Sequence, residues 1–157
     1  MQDLPLDAAD LRILRALQQQ GRISNVELAQ AAHLSTAQCN RRHRRLEEAG
    51  LVRGYEARLD RERLGWGVLA IIHVSMERGH FSEIRKFRAA VAAMEQIQEC
   101  YAVTGDSDYV LKVVARDLRA LSDFVLGKVM QLPGVGGVRS NVCLDEIKST
   151  GALPLER

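Results

Sequence analysis

The sequence predicts an α+β protein, with a helix-turn-helix unit at the N-terminus and a ferredoxin-like βαββαβ sandwich at the C-terminus. Two capping boxes, beginning at Ser24 and Ser35, mark two closely spaced helix starts within the first 50 residues. After residue 64, segments with strand and helix periodicity alternate in the order strand, helix, strand, strand, helix, strand. This alternation favours helices on one face of an antiparallel sheet.

The composition is that of an ordinary globular chain. Of the 157 residues, 46% are hydrophobic, and no apolar run approaches the roughly 18 residues of a membrane span. Because no stretch at the start reads as a signal peptide, we expect a soluble, cytoplasmic protein. The three cysteines, Cys39, Cys100 and Cys143, are odd in number and far apart, so we expect reduced thiols and no disulfide framework or metal pair.

The first 50 residues predict three short helices. Ile13, Leu14 and Leu17 form the apolar stripe of the first helix, with Asp7 and Asp10 in or before its opening turn. A tight turn at 33–34 separates the second helix from the third, which ends at glycine 50. Three helices with a tight turn between the last two are typical of a helix-turn-helix.

The third helix carries four arginines between residues 41 and 45. Cys39, His43 and Leu46 recur at i, i+4 and i+7, which predicts the buried face and turns most of these arginines outward. Asparagine and glutamine can read adenine, and arginine can read guanine or hold phosphates. Gln38, Asn40 and Arg41 are the candidates for base contacts, and Arg42, Arg44 and Arg45 for phosphate contacts. The full set of predicted DNA-binding residues is Ser35, Thr36, Gln38, Asn40, Arg41, Arg42, Arg44 and Arg45.

Two other interpretations of this helix were weighed. An arginine cluster alone more often marks a solvated helix face, with Arg44 paired to Glu47 or Glu48, but its place on the recognition helix favours DNA. Cys39 and His43 could form half of a metal site, but nothing in the sequence completes it, so both are predicted to pack in the core.

A hinge connects the two predicted domains. Residues 51–59 read as a strand interrupted by Gly54, and the charged residues 60–63 read as a solvated linker. We therefore divide the chain into a DNA-binding domain at 1–50, a hinge strand and linker at 51–63, and a sandwich at 64–157. Trp66 is interpreted as an anchor at the hinge or an interface.

The sandwich is predicted from four strands, at 67–76, 97–104, 109–115 and 138–147, and two helices. The first helix carries Ile84, Phe87, Val91 and Met94; the second is capped by Asp117 and runs to 132, where Pro133-Gly134 stops it. Residues 134–137 read as a turn. Because residues 68–74 are apolar at odd and even positions alike, we expect a partner subunit to cover the second sheet face.

These motifs together resemble the leucine-responsive/asparagine-operon (Lrp/AsnC) family of regulators. The resemblance runs from about Leu6 to Lys148. It rests on the following stretches: Gly21 to Leu28, Leu34-Ser35, Cys39, Arg44 to Glu47, Gly54-Tyr55, Ile97 to Cys100, Gly105 to Tyr109, and Leu132 to Val135. The chain departs from the family at His43, where relatives commonly carry an aliphatic residue, and at Asn40 and Arg41, so that no operator sequence can be carried over.

The resemblance implies a winged helix-turn-helix joined by a strand-bearing hinge to an amino-acid-binding sandwich. It also implies homo-oligomers, with dimers assembling into octamers or related rings, and an effector bound around residues 103–109. In that loop, Gly105 would let backbone amides approach an α-carboxylate, and Asp106 or Asp108 would hold an α-ammonium. By itself the same stretch is simply a good turn. The predicted effector-binding residues are Thr104, Gly105, Asp106, Asp108, Tyr109, Val135 and Gly136.

Two functions remain open from the sequence. The preferred hypothesis is a sequence-specific transcription regulator, associated with the nucleoid, that binds double-stranded DNA and responds to an amino acid or a derivative. The alternative is an architectural protein that organises DNA without an effector. We expect no enzyme activity, cofactor or metal, because no nucleophile–base pair or metal-ligand cluster is evident.

Overall fold

The structure, a computed structural model, describes residues 4–77 and 83–155 and divides into two compact units. The first unit contains the described residues up to Arg58 together with those from Lys148 onward, and the second contains Leu59–Ile147. The sequence analysis assigned everything after residue 64 to the sandwich. The difference lies in the C-terminal tail, whose contacts are with the helices of the first unit.

Three helices build the first unit: α1 at Ala8–Gln19, α2 at Asn25–Ala32 and α3 at Thr36–Glu48. The predicted capping boxes are confirmed at α2 and α3, and a third begins α1, where Asp7 is the N-cap. The turn between α2 and α3 has the predicted place, and His33 there adopts φ 55°, in the left-handed region. Gly50, with φ 72°, follows the end of α3.

The core of this unit lies where the three helices meet. Its buried members are Ile13, Leu17, Leu28, Ala29, Ala32, Cys39 and Leu46. Cys39 and Leu46 are fully buried, as the i, i+7 spacing predicts, so the orientation of α3 about its own axis is confirmed. The opposite side of α3 is therefore free to face a ligand.

The strand predicted at 51–59 does not form in this chain. None of these residues has a strand assignment, and no described segment pairs with them. A strand exists only through hydrogen bonds to a neighbour, and an alternating sequence cannot supply that neighbour. The segment instead follows α3 closely: the backbone N–H of Leu51 donates to the carbonyl of Leu46 at 3.0 Å.

The C-terminal tail packs on α1. The side chain of Gln18 forms a reciprocal pair with the backbone of Leu153: its Nε2 donates to the Leu153 carbonyl at 3.1 Å, and its Oε1 accepts from the Leu153 N–H at 2.6 Å. Arg15 donates to the carbonyl of Leu155, and Arg58 to that of Ser149. Because these bonds go to backbone atoms of the tail, its amino-acid sequence gives little sign of them.

The second unit is a four-stranded antiparallel sheet with two helices. The strands are β1 (Val68–Met76), β2 (Ile97–Ala102), β3 (Tyr109–Ala115) and β4 (Val135–Val142), and the helices are α4 (Ile84–Ala92) and α5 (Leu118–Gly127). The strand order β2-β3-β1-β4 is that of the predicted ferredoxin-like sandwich, which is thereby confirmed. In β1, β3 and α4 the observed bounds lie within two residues of the prediction.

Two elements differ from the prediction by more than two residues. α5 ends at Gly127, and a 3-10 turn at Val129–Gln131 continues the apolar stripe to the Pro133-Gly134 stop. β4 begins earlier and ends earlier than the predicted 138–147, because Val135 already pairs with Met76 across a bulge. Residues 135–137, predicted to be a turn, are therefore strand, and Ile147, predicted as its last residue, is exposed.

One face of the sheet carries the core. Ile72 and Val74 of β1 and Leu111 and Val113 of β3 are fully buried in one cluster with Phe87 of α4. The other face carries no described helix. Its residues include Ile71, His73, Val110 and Lys112, which are only partly buried. Among the described residues, no helix combines the length and the apolar composition that crossing a membrane requires.

The tail contact leads to a first prediction. Gln18→Ala removes both hydrogen bonds to Leu153 and should make amide hydrogen exchange in residues 150–155 about fivefold faster, equivalent to about 1 kcal/mol. Gln19→Ala is the matched control, because Gln19 is the next residue of α1, is exposed and bonds to no described residue through its side chain. Exchange is measured by mass spectrometry. Equal exchange rates in the two variants would contradict the packing of the tail on α1.

Candidate DNA interface and effector loop

The start of α3 is fixed by its capping box. The backbone N–H of Gln38 donates to Ser35 Oγ at 3.3 Å, and the backbone N–H of Ser35 donates to Gln38 Oε1 at 3.4 Å. Thr36 and Gln38 are exposed in this first turn. The amide nitrogen of Gln38 remains available as a donor while its oxygen serves the cap. The capping box thus presents the N-terminal turn of α3, with its exposed side chains, as a preformed surface.

Asn40 and Arg41 are the exposed polar residues on which the base contacts of α3 were predicted to depend. Both are exposed, and neither bonds to any described residue. Arg44 is also exposed, but its Nε donates to Glu48 at 2.8 Å, the solvated ion pair that the sequence analysis weighed as an alternative. A pair in which both side chains are this exposed contributes little to stability, so a phosphate can replace the carboxylate.

Arg42 and Arg45 turn toward α1. Nη1 of Arg42 donates to Asp7 at 2.8 Å and to Asp10 at 2.9 Å, and Nη2 of Arg45 donates to Asp10 at 2.6 Å. The predicted arginine cluster is thus divided in two: Arg41 and Arg44 point away from the unit, whereas Arg42 and Arg45 tie α3 to α1. Helical periodicity alone does not predict this division. The sequence contains one indication of it: Asp10 occupies the first position of an i, i+3, i+4, i+7 pattern in α1 whose other positions are apolar, so its carboxylate is expected to face inward.

The contact between Asp7 and Arg42 shifts the pKa of both side chains. The backbone N–H of Asp10, followed by the Arg42 guanidinium, stabilises the carboxylate of Asp7 and lowers its pKa from 3.8 to about 2. The hydrogen bonds to Asp10 and Asp7 raise the pKa of Arg42 above its usual value. Asp7 and Arg42 therefore hold each other in their charged forms at neutral pH.

His43 was predicted to pack in the core, but it does not. Its ring is partly buried and its Nε2 lies 2.6 Å from the hydroxyl of Tyr55, which itself donates to Glu47 at 3.0 Å. Burial, and then the hydrogen bond to Glu47, raise the pKa of Tyr55 to about 12, so the phenol stays protonated. A polar ring nitrogen needs a partner, and the segment after α3 supplies it. Within the described residues, no cluster of His, Cys, Asp and Glu could hold a metal ion.

The predicted effector loop joins β2 to β3. Thr104, Gly105 and Asp106 are exposed at its tip, and Gly105 adopts φ 117°, which a side chain would disfavour. The backbone N–H of Val103 donates to the carbonyl of Asp108 at 3.0 Å and closes the loop. The tip thus offers backbone groups, a hydroxyl and a carboxylate to solvent.

Asp108 and Tyr109 have different surroundings from the tip. Oδ2 of Asp108 accepts from the backbone N–H of Met76 at 2.7 Å, so this carboxylate fixes the loop to the end of β1. The ring of Tyr109 is buried, 4.6 Å from that of Phe87 between centroids. Both residues hold the loop in place through contacts with β1 and α4.

The start of β4 reaches the same end of β1. Val135 pairs with Met76, and Gly136 passes so close to Glu77 that an added Cβ would lie 3.0 Å from the Glu77 side chain. The two segments predicted to form the effector site, which are almost 30 residues apart in sequence, therefore meet around the end of β1. Their convergence makes one site of them geometrically possible.

Comparisons with known proteins match both units. A winged helix-turn-helix DNA-binding family model matches residues 6–53, and the Lrp/AsnC ligand binding domain model matches residues 69–153. A leucine-responsive regulatory protein of Haemophilus influenzae is 39% identical over 151 residues, which cover 96% of this chain and 91% of that protein. A Bkd operon transcriptional regulator of Pseudomonas aeruginosa is 40% identical over 150 residues, covering 96% and 98%.

Solved structures agree with these sequence matches. A transcriptional regulator of Neisseria meningitidis in complex with L-Met superposes with a TM-score of 0.92 at 39% identity, covering 96% of this chain and 97% of that chain. An AsnC family transcriptional regulator of Agrobacterium tumefaciens gives a TM-score of 0.89 at 30% identity, covering 95% and 97%. The similarity extends over both units.

The Asp7–Arg42 pair predicts an acid-sensitive contribution to stability. Because the pKa of Asp7 falls from 3.8 to about 2 on folding, its contribution is present above pH 3.8 and is lost as the pH falls toward 2. Asp7→Asn keeps an N-cap residue but removes the charge. Urea unfolding should show a larger difference between wild type and variant at neutral pH than near pH 2. An equal difference at both would contradict the depressed pKa.

Proposed function

The chain belongs to the Lrp/AsnC family of transcription regulators, and on that premise we propose that it reads specific DNA sequences through α3 under the control of an amino acid or an amino-acid-derived effector. The observation that carries the proposal is the exposed, unpaired state of Asn40 and Arg41 on a recognition helix whose opposite side is buried. The family supplies the two functions, DNA binding and amino-acid binding.

For the DNA contacts, the structure supports a narrower assignment than the sequence. Gln38, Asn40 and Arg41 are proposed to meet base edges, since their donors project from the N-terminal half of α3. Ser35, Thr36 and Arg44 are proposed to meet the backbone phosphates. Arg42 is not proposed as a DNA contact, because its guanidinium is bonded to Asp7 and Asp10. Arg45 is bonded to Asp10 but keeps part of its side chain exposed.

For the effector, the geometry favours the loop tip. The amides around Gly105 and the hydroxyl of Thr104 suit a carboxylate, and Asp106 suits an ammonium group, so the exposed groups match the two charged ends of an amino acid. Val135 and Gly136 would border the same site. Asp108 and Tyr109 are proposed to hold the loop in place, since both are engaged by β1 and α4.

A second copy of this chain is proposed to cover the partly apolar sheet face. Ile71 and Val110 lie on it beside His73 and Lys112, and no described helix lies over them. Dimers formed there are proposed to assemble further, up to octamers, and effector binding to shift the balance between assemblies. We place the protein in the cytoplasm with the nucleoid, as a regulator that performs no catalytic step.

The DNA assignment predicts that Arg41→Ala weakens binding by about tenfold or more, the loss expected for one good base contact. The measurement is a gel-shift series with the DNA upstream of the protein's own gene as probe. Arg119→Ala removes the same side chain from an exposed position on α5 and should bind as wild type does. Unchanged affinity of Arg41→Ala, with an unchanged oligomer by ultracentrifugation, would remove Arg41 from the site.

The effector assignment predicts a heat of binding in calorimetry against the twenty amino acids and their common breakdown products. Methionine is the first probe, because the Neisseria meningitidis relative forms an L-Met complex. Asp106→Asn should weaken the observed ligand by about tenfold or more, through loss of a charge-assisted hydrogen bond. Asp123→Asn, an exposed aspartate on α5, is the control. Silence from every ligand would favour the architectural alternative.

A further inference from the structure

Asp10 is a buried carboxylate with an unusual position. It is the one charged residue among the described parts of the chain that is completely buried, and it stands in the first turn of α1. Its Oδ2 accepts from the backbone N–H of Asp7 at 3.1 Å and from Arg45, and its Oδ1 accepts from Arg42. A buried carboxylate is stable only when it is paired in this way, so the two arginines are held to it.

The two arginines do not serve Asp10 equally. Arg42 is shared between two carboxylates and its side chain is 26% exposed. Arg45 is bound to Asp10 alone, through Nη2, and its side chain is 43% exposed. No described residue accepts from Nε or Nη1 of Arg45, so one nitrogen of this guanidinium is bonded to a buried carboxylate while its other donors remain open.

The location of the open donors of Arg45 matters for DNA binding. Arg45 follows Arg41 by one helical turn and stands next to Arg44, and both of these residues are exposed on the outer side of α3. Because the guanidinium is planar, an ion pair through one of its nitrogens fixes the directions of its remaining donors before DNA arrives, which lowers the cost of ordering them on a phosphate.

We infer that Asp10 is a positioning residue for DNA binding, which orients Arg45 so that the remaining donors of its guanidinium bind a backbone phosphate. Asp10 itself touches no DNA. The inference rests on the proposed function only in that α3 faces DNA, and it adds a carboxylate–guanidinium–phosphate relay that starts in the core of the unit.

The test is the salt dependence of DNA binding, which counts phosphate contacts. Each lost contact makes the slope of log K against log salt shallower by about 0.9 for each DNA-binding unit engaged. Asp10→Asn is nearly isosteric and still accepts from the Asp7 N–H, but it no longer anchors Arg45 by charge. The expected result is a shallower slope in Asp10→Asn, the same change in Arg45→Ala, and no further change in the double variant.

Asp7→Asn is the matched control, because it weakens the Arg42 pairing and leaves Arg45 bonded to Asp10. Its slope should equal that of wild type. If Asp10 is merely structural, its variant lowers stability and apparent affinity but leaves the slope unchanged, since partial unfolding scales the affinity by a nearly constant factor. An unchanged slope in Asp10→Asn while Arg45→Ala is shallower would overturn the inference.

Arg45→Ala keeps the inference testable if Asp10→Asn fails to fold. Its slope must fall, and an unchanged slope would refute the relay whatever the Asp10 variant does. The probe is a duplex of random sequence, because the electrostatic part of binding does not depend on sequence. A wild-type protein that binds this duplex as tightly as any operator would contradict the proposed sequence specificity and leave the relay to be decided by the slopes.

Discussion

The ion pairs between α1 and α3 fix the geometry on which DNA binding depends. Asp10 accepts from Arg42 and Arg45 inside the first unit, and Asp7 accepts from Arg42 at its edge. Breaking such a buried arrangement by removing one partner is costly, because it leaves a charge without compensation. The rotation of α3 is therefore fixed twice, by the apolar contacts of Cys39 and Leu46 and by these charges. As a consequence, Asn40 and Arg41 are left facing outward.

The second unit follows a comparable principle at the end of β1. Asp108, in the loop before β3, accepts from the backbone N–H of Met76, and Val135, at the start of β4, pairs with the same residue. The tip of the loop between β2 and β3 exposes backbone groups, the hydroxyl of Thr104 and the carboxylate of Asp106 to solvent. Buried or strand-bonded residues hold a small number of exposed ones, which is how a site on a loop can have a defined shape.

Sequence periodicity and capping chemistry predicted most of the fold. The capping boxes at Ser24 and Ser35 located two helix starts, because the bonds they make are local and need no tertiary partner. The strand predicted at 51–59 is not formed within this chain, since a strand needs a neighbour to pair with and its own sequence does not supply one. The prediction that His43 packs in the core was wrong, because its ring bonds to Tyr55, a residue beyond the end of α3 that helical periodicity does not take into account.

The sequence alone determined the order of elements, the outward face of α3 and the family resemblance, all of which depend on residues close together in the chain. Only the tertiary structure decided which arginines are bonded across the unit: Arg42 and Arg45 differ from Arg41 and Arg44 through contacts with Asp7 and Asp10, more than 30 residues away. It also decided that the tail packs on α1 and that Asp108 and Val135 both reach Met76 at the end of β1. Contacts over such separations depend on how the chain folds back on itself, which local periodicity does not specify.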